Sequence, residues 1–99
     1  MNQRQIQAFR HVMRHGSITA AAQSLNISQP AVSRLIADLE RSIGFRLFLR
    51  QGGKSEPTTE ALEFIQEVER MFYGLDRLGQ TAREIKDLRR ATLHVATMP

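Results

Sequence analysis

The sequence predicts a mainly α chain made of one small domain and a helical appendage. Three observations carry that expectation. Apolar residues recur at helical spacing in three short stretches before Gly44. A Gly-Gly pair separates two extended stretches between Phe45 and Pro57. After Pro57, eight apolar residues keep a 3-4 spacing for more than three heptads.

The first helix is expected from Asn2 to His15. Ile6, Phe9, Val12 and Met13 lie at helical spacing, and Gly16 suits the left-handed position that ends a helix. Ser17 is an N-cap candidate for a second helix, running through Ala20, Ala21 and Ala22 to Leu25, with Asn26 as its turn. Ser28 can cap a third, since Pro30 is tolerated in a first turn. In that helix Val32, Leu35, Ile36, Leu39 and Ile43 form a core-facing stripe. The opposite face carries Gln29, Ser33, Arg34 and Arg41.

Leu47 and Leu49 alternate with Arg46, Phe48 and Arg50, which predicts a short strand. Gly52-Gly53 permits a tight turn, so a two-stranded hairpin follows, with Arg50 and Lys54 near its tip. Pro57 removes a ladder donor and is expected to shorten the second strand.

The long helix is expected from Thr59 to Arg89, roughly 45 Å at 1.5 Å per residue. Its seam is Ala61, Phe64, Val68, Met71, Leu75, Leu78, Ala82 and Ile85. The small preceding domain cannot cover such a stripe, so a partner helix is expected, most simply a second copy. Leu62, Ile65 and Phe72 form a second stripe, expected to pack on the preceding domain. Leu93 and Val95 alternate with polar neighbours and read as one unpaired strand, which suggests that the chain is the front part of a longer protein. The expected division is 1–57, 58–90 and 91–99.

Charge is distributed unevenly. The 99 residues carry net +4, with a pI near 10.7. Residues 1–57 hold eight cations, seven of them Arg, against three acids, whereas residues 58–99 hold six cations against seven acids. A basic head suggests an anionic partner, and Arg favours bidentate phosphate or base contacts. There is no Cys, which removes disulfides, thiolate metal sites and thiol nucleophiles. No run approaches the roughly 18 apolar residues of a membrane span, and a cytoplasmic setting fits. His11 and His15 are i, i+4, but two histidines fall short of the usual metal ligand set, so no metal is assigned. Nor do Ser, His and Asp fall at a catalytic spacing, so no catalytic residue is assigned and no enzyme is expected. Two other functions fit the composition less well: a coiled-coil module whose basic head binds an acidic protein, and a small hydrolase or metal enzyme.

Helix, short turn, helix is the central pattern. Its residues resemble those of the LysR-type transcriptional regulators of bacteria. The matching segments are Gln7-Ala8-Phe9, Gly16 to Ala22, Leu25 and Ser28-Gln29-Pro30-Ala31-Val32-Ser33-Arg34. They continue through Ile36, Leu39-Glu40, Ile43-Gly44, Leu47-Phe48, Arg50 and Thr58. The stretch Tyr73 to Arg77 resembles the branch of lysine-biosynthesis and opine-catabolism regulators.

That resemblance implies a winged helix-turn-helix domain followed by a dimerisation helix. It implies base reading by Gln29, Pro30, Ser33 and Arg34, phosphate contact by Ser17, Thr19 and Ser28, and wing contacts by Arg50 and Lys54. It implies dimerisation through Phe64, Val68, Met71, Leu75, Leu78, Ala82 and Ile85. The implied partners are double-stranded DNA bearing an interrupted inverted repeat, a second copy of the chain (a tetramer being possible) and RNA polymerase. No cofactor is expected in this segment. A small co-inducer, related to a basic amino acid, is expected for a C-terminal domain of which 91–99 would be the first strand. The physics of the side chains agrees: Gln pairs with adenine edges, Arg with guanine, and a Pro ring can lie against a thymine methyl.

Overall fold

A computed structural model describes residues 1–51 and 54–97. The elements run α1 (Gln3–His15), α2 (Ile18–Leu25), α3 (Gln29–Ile43), β1 (Phe48–Gln51), β2 (Lys54–Pro57) and α4 (Thr59–Thr97). They fall into two units, Met1–Glu69 and a second beginning at Arg70. The turn expected at Gly52-Gly53 lies outside the described residues.

Local chemistry explains the helix ends. Asn2 Oδ1 accepts from the Gln5 amide at 2.9 Å while Gln5 Oε1 accepts from the Asn2 amide at 3.1 Å, a reciprocal capping box. Gly16 ends α1 at φ 80°. The Ser17 hydroxyl accepts from the Ala20 amide at 3.0 Å and that of Ser28 from the Ala31 amide at 3.2 Å. Asn26 occupies the left-handed region at φ 58° between α2 and α3. Asn tolerates that region better than most residues, which keeps the connection short. The Ile27 amide closes the turn on the Ala22 carbonyl at 3.1 Å.

The core of the first unit gathers Phe9 and Val12 from α1, Ala21 from α2, Val32 and Leu39 from α3, and Leu47 before the wing. Burying each large apolar side chain contributes about 1.5–3 kcal/mol. The Phe9 ring sits 5.8 Å from that of Phe48 and 5.6 Å from that of Phe64, and the Phe45 and Phe64 rings are 5.9 Å apart.

Glu40 and Thr58 tie the wing to this core. The Glu40 carboxylate accepts from the amides of Leu47 (2.6 Å) and Phe48 (3.3 Å) and from Arg46 Nε (3.4 Å). Thr58 donates its hydroxyl to the Arg46 carbonyl at 2.7 Å and accepts from the Ala61 amide at 3.1 Å, starting α4 where the hairpin ends.

Four expectations need correction. First, the compact unit extends to Glu69 rather than ending at residue 57. Ala61 and Val68 are buried in it and Phe64 stacks on Phe9, whereas Leu62 is 52% exposed. Val68, expected at a dimer interface, thus lies in the core of its own head, and Phe64, half-buried, sets its ring against Phe9. The line of α4 that meets α1 runs through Phe64 and Glu69, and of the second stripe Leu62 is exposed while Ile65 and Phe72 are half-buried. Second, the expected strand is present but starts at Phe48, so that Arg46 and Leu47 lie before it, and Leu49 is 47% exposed. Third, α4 continues past Arg89 to Thr97. Fourth, residues 92–97 are therefore helical rather than a strand. A lone strand leaves its backbone groups unpaired, whereas helix continues to satisfy them locally. The Thr92 hydroxyl also donates to the Leu88 carbonyl at 2.9 Å. Met98 and Pro99, the end of the expected strand, lie outside the described residues.

In the second unit, α4 from Arg70 onward exposes Met71, Tyr73, Leu75, Leu78, Ile85, Leu88, Leu93 and Val95. Gly74 and Gly79 lie within the helix without interrupting it. No described helix is long and apolar enough to cross a membrane.

Candidate nucleic-acid interface

The four expected base-reading residues lie within the first six residues of α3. Gln29, Pro30 and Arg34 are exposed and Ser33 is half-buried. Helical spacing puts Gln29 and Ser33 on one line, and Pro30 and Arg34 on the next. The Ser28 cap keeps the first turn regular, and the buried Val32, Ile36 and Leu39 fix the rotation of the helix.

A shallow groove of about 220 Å³ brings together Ser17 and Thr19 from α2, Gln29 and Ser33 from α3, and Arg50 and Ser55 from the wing. A neighbouring groove of about 360 Å³ joins Thr19, Gln23, Ser28 and Gln29. Ser17 and Ser28 use their oxygens as caps, which leaves each hydroxyl proton able to meet a phosphate. Pro30 and Arg34 stand on the outer line of α3, beyond both grooves. Lys54 lines neither groove. Ser55 and Gln23 were not singled out from the sequence.

Ion pairing divides the cations of residues 1–57 into two groups. Arg10 grips Glu69 through Nε and Nη2 at 2.9 and 3.1 Å, and Arg14 approaches the same carboxylate at 3.5 Å. Arg41 pairs with Asp38, and Arg46 with Glu40. Arg4, Arg34, Arg50 and Lys54 are exposed and make no ion pair among the described residues. Three of those four are expected nucleic-acid contacts.

The charged ties also shift titrations. The Arg10 hydrogen bond, supported by the nearby Arg14 charge, holds the Glu69 carboxyl below its ordinary value. Burial, followed by the charges of His15, Arg10 and Arg14, lowers the His11 imidazole. His11 Nδ1 lies 2.9 Å from the Ser24 hydroxyl, and its ring centre is 5.8 Å from that of His15. Among the described residues no group of three or more His, Cys, Asp or Glu is placed to hold a metal ion.

Residues 3–62 match the model of the bacterial regulatory helix-turn-helix proteins of the lysR family. The chain belongs to the LysR family. It carries that family's winged helix-turn-helix DNA-binding domain. Over all 99 residues it is 46% identical to the octopine catabolism/uptake operon regulatory protein OccR of Rhizobium meliloti and 42% identical to the transcriptional activator LysR of Escherichia coli. It spans about a third of the length of these relatives, 33% and 32%. Among solved structures it is similar to the CbnR DNA-binding domain in complex with DNA (TM-score 0.79, 30% identity, 87% of this chain and 99% of that one). It is equally similar to the BenM DNA-binding domain on a catB site (TM-score 0.80, 30% identity, 87% of this chain and 97% of that one).

Proposed function

We propose that this LysR-family chain reads an operator by placing the start of α3 in the major groove, with Gln29, Pro30, Ser33 and Arg34 against base edges. The observation that carries this is the exposed Arg34, without an ion pair among the described residues, one turn on from Gln29 on a helix whose other side is locked into the core. Ser17, Thr19 and Ser28 would meet backbone phosphates, and Arg50 and Lys54 the flanking duplex. The DNA complexes of CbnR and BenM support the assignment.

The exposed line Met71, Leu75, Leu78, Ala82 and Ile85 would join two copies, with any tetramer built from such dimers. Two heads on a two-fold axis call for an interrupted inverted repeat. Residues 91–99 would lead into an effector-binding domain, where a strand could form once sheet partners are present. The relatives that act in octopine catabolism and carry the LysR name support an effector related to a basic amino acid. Contact with RNA polymerase in the cytoplasm would complete the role, with no catalysis by this segment.

The test is binding to a selected duplex across a salt series. Log K should fall with log salt by close to one unit per phosphate neutralised. Arg34→Ala should cost about 1–3 kcal/mol and relax preference at one base pair, whereas Lys54→Ala should weaken all sequences alike. Equal affinity for every duplex would refute operator reading.

A further inference from the structure

The register of the hairpin separates the two cations of the wing. Arg50 lies opposite Ser55, and Leu49 opposite Glu56. Directly opposed side chains of an antiparallel pair stand on one face, and neighbours along a strand stand on opposite faces. Phe48, Arg50 and Ser55 thus share one face, while Leu49, Lys54 and Glu56 share the other. Burial agrees, since Phe48 is 6% exposed and Leu49 47%. The first face looks toward α3. Arg50 and Ser55 line the groove shared with Gln29 and Ser33 and a second one, of about 280 Å³, floored by Ile18 and Ile36. Lys54 lines neither.

We propose that the wing holds DNA at two separate places: Arg50 and Ser55 grip the phosphate beside the recognition helix, and Lys54 grips a different phosphate outside it. The proposal rests on the DNA-binding function above and adds Ser55 as a contact residue. Arg50 has no ion pair to give up among the described residues, so its guanidinium can meet a phosphate in bidentate fashion. The hydroxyl of Ser55 borders the same groove as Arg50 and can donate to a remaining phosphate oxygen. Lys54, on the far face, brings a compact ammonium that needs no fixed geometry.

The experiment scans a selected duplex with single neutral methylphosphonates, measuring the affinity of the intact chain and of folded variants. One modified phosphate near the bases sensitive to Ser33→Ala should weaken wild-type binding about tenfold, the loss of roughly one phosphate contact. Arg50→Ala should become insensitive there, with its salt slope reduced by about one. Ser55→Ala should lose part of that sensitivity, and Arg50→Lys should keep part of it. Lys54→Ala should become insensitive at another phosphate. Arg50→Ala and Lys54→Ala erasing the same phosphate effect would overturn the proposal, as would a Ser55→Ala profile identical to wild type. A wild-type chain that prefers no duplex would instead overturn the operator-reading function itself.

Discussion

The two units of this chain treat apolar residues in opposite ways. The unit of residues 1–69 buries Phe9, Val12, Val32, Leu39, Leu47, Ala61 and Val68 around one core. From Arg70 onward the helix keeps the same apolar spacing, yet Leu75 is 48% exposed, Leu78 66% and Ile85 57%. Identical periodicity therefore means a finished core in one region and an open seam in the other. What differs is the supply of neighbours: α1, α2 and α3 pack on one another, with Phe9 and Arg10 meeting Phe64 and Glu69 of α4, whereas Leu75, Leu78 and Ile85 stand exposed.

The largest effects should separate these regions. Phe9→Ala should lower the unfolding free energy of the head by about 3–5 kcal/mol, because it empties the site between Phe48 and Phe64. Phe64→Ala should act in the same direction, whereas Leu75→Glu should leave head stability nearly unchanged and convert the proposed dimer to monomer. Denaturant melts together with sedimentation at matched concentrations distinguish the two. A Phe64→Ala chain of full stability that fails to dimerise would return that residue to the interface.

A middle-sized effect concerns the wing. Glu40→Ala removes the acceptor for two backbone amides at the start of the hairpin, an expected loss of about 1–3 kcal/mol. Amide exchange should rise at Leu47 and Phe48 first, leaving α1 protected.

The smallest effect is the pH dependence of the tie between α1 and α4. Glu69 has a carboxyl pKa lowered from the ordinary 4.5, so its stabilisation is present above that value and lost as pH falls through the lowered one. Glu69→Gln should flatten the acid limb and cost less than about 1 kcal/mol at neutral pH, since the pair is partly exposed. His11 acts in a higher window. Its pKa is lowered from 6.5, so protonation favours the unfolded chain as pH falls below that value. The Glu69→Gln variant should retain that part of the pH dependence. Both limbs are read from thermal melts across pH.

Much of the head was legible because its signals are local. Asn2, Ser17 and Ser28 cap the helices that follow them, and Gly16, Asn26 and Gly44 end them in the left-handed region. Each of these acts within four or five residues, so order along the chain suffices. The exposure of Gln29, Pro30 and Arg34, proposed here as base-reading residues, was equally visible, because the core stripe of α3 leaves them facing away.

Sequence alone thus determined the helices, their caps, the presence of a hairpin and the basic character of the head. Tertiary structure decided which stripe of α4 faces α1, which arginines are held by Glu40, Asp38 and Glu69, and that Arg50 and Lys54 stand on opposite faces of the wing. It also decided that residues 92–97 are helical where no strand partner is at hand. The physical reason is common to all four. Spacing states which residues share a face, but burial, ion pairing and strand pairing depend on what lies across from that face, and that is settled only when distant segments meet.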